Sequence, residues 1–294
     1  MQKVLFIINP ISGTIKKNKL EEKIDLYLNK NIYRKIIYTK APKHATQIAK
    51  ENSNNFDIIA IAGGDGSINE TFRGLINKTS ALAIIPMGSG NGLARHLKIP
   101  LNVKKAIELI NNGKIIDIDT IKINNEYFIN VAGFGFDAYV AHLFANNGKR
   151  GFWSYVKIIF TKIFKYKPQN LKVKLKTGNI NSNDFIFTLA NSSQYGNNAR
   201  IAPKAKINDG LIDVIFKQKI NIFTAIPFLI KMMTGKLTDN KTYTTHKTPK
   251  LKIQSLNKII AHIDGDPIIF DNEINVEIIK KSIKIIVPKT NNRI

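Results

Sequence analysis

Asp57-Ile58-Ile59-Ala60-Ile61-Ala62-Gly63-Gly64-Asp65-Gly66-Ser67-Ile68-Asn69-Glu70 decides the fold. Five apolar residues, mostly β-branched, read as a strand buried on both faces, and the helical pattern from Ile68 onward reads as the element that follows it. Three glycines join the two, letting the backbone approach a ligand closely, and the amides at the helix start favour phosphate. Asp65 does not suit a pure phosphate cradle, because an anion among phosphates is repelled unless a metal or a proton transfer uses it. The segment alone leaves two readings open: a tight strand-to-helix turn capped by Asp65, or one wall of a nucleotide site.

Two further loops of the same kind narrow that choice. Pro86-Met87-Gly88-Ser89-Gly90-Asn91-Gly92 follows the next apolar run and precedes a helical pattern over 93–97. Asn9-Pro10-Ile11-Ser12-Gly13 follows the first run, with Lys16 and Lys17 close behind. None is a Walker loop, which needs a Gly-Lys-Ser/Thr ending.

Working outward, residues 4–8, 35–38, 58–62 and 81–85 read as strands, and 19–29, 44–51, 68–76 and 103–110 as helices. This alternation predicts an α/β N-terminal domain over residues 1–120, a Rossmann-like parallel sheet with ligands at the carboxyl ends of its strands. Beyond it, shorter strands are expected at 127–132, 171–176, 185–189, 211–216, 250–253, 259–263 and 283–287, with helices at 152–166 and 222–233. They predict a β-rich, antiparallel, sandwich-like C-terminal domain over 121–294, whose extreme C-terminus can return to the first domain.

Composition excludes several classes. The 294 residues contain no cysteine, so disulfide frameworks, thiolate zinc sites and cysteine nucleophiles are absent, and five histidines make a zinc site improbable. No apolar run approaches the roughly 18 to 20 residues that span a bilayer, and 4–8 is too short for a signal-peptide core, so a cytoplasmic protein is expected. With 45 basic and 21 acidic residues the formal charge is +24, which attracts anionic partners or simply reflects a lysine-rich surface. No consecutive basic block or RNA-recognition signature accompanies it, and nucleic acid is not expected as a partner.

The ordered set of loops resembles the diacylglycerol kinase catalytic-domain family, which includes bacterial soluble lipid kinases and the sphingosine and ceramide kinases. Asn9–Gly13 resembles its Asn-Pro-x-Ser-Gly start, Gly63–Asn69 its Gly-Gly-Asp-Gly-Thr/Ser loop, and Pro86–Asn91 its Pro-x-Gly-Thr/Ser-x-Asn loop. The resemblance implies an ATP-dependent lipid kinase with a fold of the NAD kinase and diacylglycerol kinase type. By it, Asn9, Pro10, Ser12, Gly13, Thr39, Gly63, Gly64, Asp65, Gly66, Ser67, Asn69, Glu70, Gly88, Ser89 and Asn91 are expected around ATP.

Two later segments extend the match. Asp209-Gly210-Leu211-Ile212-Asp213-Val214 resembles the family's Asp-Gly-x-x-Asp-Val stretch, where soluble bacterial members hold a structural Mg²⁺. Carried over, its ligands are the Asp209 carboxylate and the carbonyls of Lys206 and Leu211; without the resemblance, residues 208–210 are simply a turn. Asp264-Gly265-Asp266 stands where the family shows Asp-Gly-Glu, whose glutamate is a candidate general base. Asp266 is one methylene shorter, which leaves the catalytic role divided among Asp65, Asp264 and Asp266, with a catalytic Mg²⁺ beside ATP.

The expected reaction moves the γ-phosphate to a lipid hydroxyl, with diacylglycerol ranked before sphingoid base, ceramide or phosphatidylglycerol. A NAD kinase, and a nucleotide- or nucleic-acid-binding protein without catalysis, are the alternatives. The stretch Phe152–Tyr166 sets Ser154, Lys157, Thr161, Lys162 and Lys165 opposite its aromatics, as an interfacial helix or a surface helix packed on its own domain would. Residues 222–233, apolar on nearly all sides, read as core or as the wall of an acyl-chain pocket. Peripheral association with the inner face of an anionic membrane is expected, and a homodimer is left open.

Overall fold

Short apolar runs become four parallel strands in the computed structural model: β1 (Lys3–Ile8), β2 (Tyr33–Tyr38), β3 (Ile58–Gly63) and β4 (Ala81–Pro86). The structure describes residues 1–11, 17–146, 158–163 and 165–289. They form two units, Met1–Asp119 with Lys280–Ile294, and Thr120–Ile279.

In the first unit β1 lies between β2 and β3, and β3 between β1 and β4. Helices α1 (Lys17–Tyr27), α2 (His44–Asn52), α3 (Asp65–Leu75), α4 (Gly92–His96) and α5 (Val103–Asn112) connect them. Alternate strand residues serve two faces. Val4, Phe6, Ile8, Ile58 and Ala60 pack with Leu20 and Ile24 of α1 and Ile107 of α5, while α2 and α3 cover the other face. On that side Gly74 is dictated by close helix packing, since a Cβ there would stand 2.5 Å from the Thr46 carbonyl. The strand order reverses between β1 and β3, and at such a switch point the loops leaving both strands open into one crevice.

The second unit is antiparallel. Its strands are the end of β5 (Lys114–Ile123), β6 (Glu126–Phe128), β7 (Val131–Gly133), β8 (Leu171–Leu175), β9 (Gly178–Ser182), β10 (Ile186–Ala190), β11 (Ile212–Lys217), β12 (Tyr243–Thr248), β13 (Lys250–Gln254), β14 (Ile259–Ile263), β15 (Asp266–Phe270) and the first part of β16 (Glu273–Val287). One sheet has the order β12-β11-β10-β7-β14-β15; β16, β13, β8 and β9 lie side by side in the other. Phe134, Phe187, Leu189, Val214, Ile253 and Ile274 belong to the core of this sandwich. Helices α6 (Phe136–Asn146) and α7 (Ile222–Thr234) also belong to this unit.

Several elements differ from expectation. The strand expected over 127–132 is split, because the amides of Ile129, Asn130 and Val131 turn to the Asp264 carboxylate instead of a strand ladder. β16 is fifteen residues long and is interrupted at Lys281, whose φ of 50° redirects the chain and whose amide donates to Asp119 Oδ1 at 2.7 Å. Past that point it joins β4 in parallel. The helix expected over 152–166 falls largely outside the described residues; within them Ile158, Ile159 and Ile163 pack into a core cluster of their own unit. Among the described residues no helix is long and apolar enough to cross a membrane.

Candidate active site

β3 ends at Gly63 and α3 begins at Asp65, with Gly64 as the cap residue. The first amides of α3 have no partner inside the helix, and the positive end of its dipole faces the same way. Asp65 stands in that first turn. Its Oδ2 accepts the Asn91 amide at 2.8 Å and its Oδ1 the Gly92 amide at 2.7 Å. The carboxylate is therefore a clasp between the two glycine-rich loops. Burial raises its pKa, and the amides of Gly92 and Asn91 with the charge of Arg95 offset only part of the rise.

Close approach of the two loops explains their glycines. A Cβ on Gly88 would come within 2.7 Å of Gly64 Cα, and one on Gly90 within 2.7 Å of Asp65 Oδ2. Asn91 closes the second loop on itself from a left-handed conformation, φ 49°. Its Oδ1 accepts the Gly88 amide at 3.0 Å and its Nδ2 donates to the Gly88 carbonyl at 2.7 Å. Arg95 Nε donates to the Gly90 carbonyl at 3.0 Å. The first loop is tied in as well, with Asn9 Nδ2 donating to Ser67 Oγ at 2.8 Å and the Thr39 amide donating to the Ile8 carbonyl at 2.9 Å.

The structure thus brings Asn9, Gly64, Asp65, Ser67, Gly88 and Asn91 into one network at the carboxyl ends of β1, β3 and β4. Gly66 and Ser89 are exposed beside it. Asn69 is buried, with Oδ1 accepting Arg73 Nε at 2.8 Å and Nδ2 without a hydrogen-bond partner among the described residues. A buried donor left in that state is what an absent acceptor group explains. Glu70 faces elsewhere: its carboxylate accepts the Ala45 amide at 3.2 Å at the start of α2. Ser12 and Gly13 lie outside the described residues.

In the second unit, Asp264 and Gly265 form a two-residue hairpin turn between β14 and β15, both with positive φ, 50° and 94°. Asp264 cannot act freely as acid, base or ligand, because its carboxylate accepts the amides of Ile129, Asn130 and Val131 at 3.1, 2.9 and 3.0 Å. Asp266, on the far side of Gly265, is exposed.

Sequence reasoning missed what holds this turn from beneath. His262 Nδ1 accepts the Gly265 amide at 3.3 Å, which leaves Nε2 as the donor toward Asp137 Oδ2 at 3.4 Å. The same oxygen accepts from Tyr195 Oη at 2.8 Å and Thr188 Oγ1 at 3.0 Å, and Asp137 Oδ1 accepts the Gly135 and Ala138 amides. Burial alone would raise the Asp137 pKa, but His262 and the two hydroxyls reverse it, leaving the carboxyl below the ordinary range. Gly133 makes the room, since a Cβ there would fall 2.0 Å from Asp137 Oδ2. The available signal was the polar run Asn191-Ser192-Ser193-Gln194, which stands between the apolar strand carrying Thr188 and Tyr195.

The expected metal ligands are oxygen donors of the kind a hard cation takes. In the structure, however, Asp209 Oδ1 accepts the Leu211 amide at 3.1 Å and Oδ2 accepts Lys247 Nζ at 2.8 Å. Lys247 lies opposite Asp213 in the β11–β12 register, and its Nζ stands 3.5 Å from the buried Asp213 Oδ2, an ion-pair distance without hydrogen-bond geometry. The Lys247 ammonium thus occupies the Asp209 oxygen that a divalent ion would need, and the residues as arranged do not offer that carboxylate to a metal. Among the described residues no group of three histidines or carboxylates could hold a metal.

The chain thus joins a parallel α/β unit, with two glycine-rich loops clasped at its strand ends, to an antiparallel sandwich. The diacylglycerol kinase catalytic domain model matches residues 3–123, and the YegS C-terminal NAD kinase beta sandwich-like domain matches residues 130–287. The chain belongs to this diacylglycerol kinase and YegS-type lipid kinase family, whose members phosphorylate a lipid hydroxyl. Similar proteins include a diacylglycerol kinase of Bacillus subtilis, 29% identical over 277 residues that cover 90% of each chain. A probable lipid kinase YegS-like of Shewanella frigidimarina is 27% identical, covering 82% of this chain and 80% of its own. A solved structure of a putative diacylglycerol kinase from Bacillus anthracis shares the fold, with a TM-score of 0.80 at 24% identity over 98% of both chains.

Proposed function

We propose that this chain transfers the γ-phosphate of ATP to the free hydroxyl of diacylglycerol, giving phosphatidic acid and ADP. The observation that carries the reading is the Asp65 clasp, which fixes two glycine-rich loops around the start of α3. Phosphoryl transfer asks little covalent chemistry of the protein and much positioning. Backbone amides at the α3 N-terminus and those of Ser89 and Gly90 receive the phosphates, and the unpartnered Asn69 Nδ2 supports an acceptor nearby.

Asp266 is our candidate for the proton acceptor, since it is exposed and follows Gly265 at the place where the family shows the glutamate of its Asp-Gly-Glu stretch. In the step, the lipid oxygen forms a bond to the γ-phosphorus while its proton passes to a carboxylate base. The bond to the β–γ bridging oxygen breaks and ADP leaves. Bound Mg²⁺ would offset phosphate charge, and we place it on the nucleotide, since this ion usually keeps water and phosphate oxygens as ligands. The lipid is met at an anionic membrane surface on the cytoplasmic side.

The test is to incubate the purified chain with ATP and Mg²⁺ against diacylglycerol, sphingoid base, ceramide, phosphatidylglycerol and NAD, and to identify products by mass spectrometry. Phosphatidic acid as the main product supports the reading. Phosphorylation of NAD alone, or of nothing, ends it.

A further inference from the structure

Helix α7 carries two apolar stripes, and its own unit covers one of them. Asn221 accepts the amides of Phe223 and Thr224 in a capping box, and Gly235 ends the helix at φ 69°, so its limits are fixed locally. Its rotation is fixed too. Phe228 and Met232 pack into a core cluster, Lys217 Nζ lies 5.8 Å from the Phe228 ring centroid, and the Arg200 amide donates to the Met232 carbonyl. The opposite side presents Phe223 (83% exposed), Ile226 (62%), Pro227, Leu229, Ile230 (57%) and Met233. Spacings of three and four residues put them on one face.

Contiguous exposed apolar side chains mark an interaction surface. The charge around them selects the partner. From Val214 to Thr238 the chain has four lysines and no acidic residue, and Lys219, Lys231 and Lys236 are exposed about the helix. Two copies meeting through this face would oppose lysine to lysine with no carboxylate to pair them. An anionic bilayer surface satisfies both features, taking the apolar stripe below its headgroups while the lysine ammoniums stay at their level. Thirteen residues span about 20 Å at 1.5 Å per residue, which suits a helix lying in the interface plane.

We propose that the outward face of α7 is a membrane-docking element, inserted into anionic lipid by Phe223, Ile226 and Ile230 and held there by the flanking lysines. The proposal rests on the lipid-kinase reading for its purpose, but vesicle binding tests it separately.

The intact chain is sedimented with phosphatidylcholine vesicles, with and without phosphatidylglycerol, at low and high salt, beside the triple variant Phe223→Ser, Ile226→Ser, Ile230→Ser. Wild type should bind the anionic vesicles and keep part of that binding at high salt, while the triple variant loses on the order of 100-fold in partitioning. Because the chain has no cysteine, Ile226→Cys offers one site for an environment-sensitive fluorophore, and Leu256→Cys, fully exposed elsewhere, is the control. A blue shift at 226 and none at 256 supports insertion. Unchanged binding of the triple variant, complete loss of wild-type binding at high salt, or no shift at 226 on bound protein overturns it. So does a wild-type dimer that the triple variant converts to monomer. Phosphorylation of a short-chain diacylglycerol in free solution separates the two readings. Wild type that docks but phosphorylates no lipid sinks the kinase assignment alone; wild type that phosphorylates but does not dock sinks this one alone.

Discussion

Exchanging Asp65 for asparagine changes one atom of the clasp between the loops after β3 and β4. Two effects then oppose each other. The carboxylate accepts two amide hydrogen bonds, Asn91 at 2.8 Å and Gly92 at 2.7 Å. Asn can offer its carbonyl to one of them but presents an NH₂ group to the other, so one donor faces a donor, at about 1–3 kcal/mol. Against this, burial raises the pKa of Asp65 despite its amide partners, which means that the ionised group is held in the folded state at some disadvantage. With the folded pKa raised, its contribution to stability is full below the ordinary carboxylate range and is lost as pH rises through the folded value. A neutral side chain removes that disadvantage at pH 7.

The net expectation for Asp65→Asn is a loss of about 1–2 kcal/mol, a Tm shift of roughly 2–3 °C for a chain of this length. Activity should fall far more, by about 100-fold or beyond, because loops displaced by about 1 Å no longer align the phosphates. Asp65→Glu discriminates clasp from base. It keeps the charge but drives an extra methylene toward Gly90, where there is no room: even a Cβ on that glycine would stand 2.7 Å from Asp65 Oδ2. This variant too should lose ATP affinity. Calorimetric unfolding and steady-state kinetics with varied ATP are the assays. Asp65→Asn with unchanged Tm and unchanged KM for ATP, but kcat lost, would refute the clasp and return the proton-transfer role to Asp65.

Gly88→Ala should reduce kcat/KM by about tenfold or more and lower Tm as well, read by the same assays, because its Cβ meets the Gly64 backbone at 2.7 Å. Lys247→Met leaves Asp209 and the buried Asp213 without their ammonium, and should lower stability by about 1–3 kcal/mol. Mg²⁺ titration followed by thermal unfolding should stabilise that variant while leaving wild type unmoved; Mg²⁺ stabilisation of wild type alone would show a metal site at Asp209. Asp137, with its pKa lowered, contributes stability above the ordinary carboxylate value that is lost as pH falls through the folded one. Urea unfolding of wild type should therefore weaken below about pH 4, and Asp137→Asn, less stable at pH 7, should flatten that acid limb.

The α/β unit was legible because its strands are short apolar runs and its loops keep their glycines in sequence order beside them. Other elements gave weaker signals. β12, Tyr243–Thr248, contains no aliphatic residue beyond the threonine methyls, and as an edge strand it needs none. The first part of β16, Glu273 to Ile278, alternates polar and apolar residues as a half-buried strand does, and so does its partner β13, whereas the reading over 283–287 took in only the continuous apolar end. α6 is hidden behind Gly133 and Gly135, which punctuate the sequence as a turn while serving the Asp137 network and the close passage of β10.

What sequence could not supply was the occupation of the carboxylates. Asp65, Asp264 and Asp266 share a chemical type and stand in glycine-bearing motifs, so motif reasoning treats them as equals. Hydrogen bonds from residues 26 and 27 positions away engage Asp65, and from 133 to 135 positions away Asp264. A carboxylate held by two or three amides is fixed in direction, which opposes turning to take up a proton from a moving substrate. The shorter side chain at Asp266 then acquires a physical reading. The backbone around it is set by two locked carboxylates, Asp264 on the β7 approach and Asp137 through His262, so the position of the last carboxylate in the hairpin is governed by its neighbours rather than by its own length.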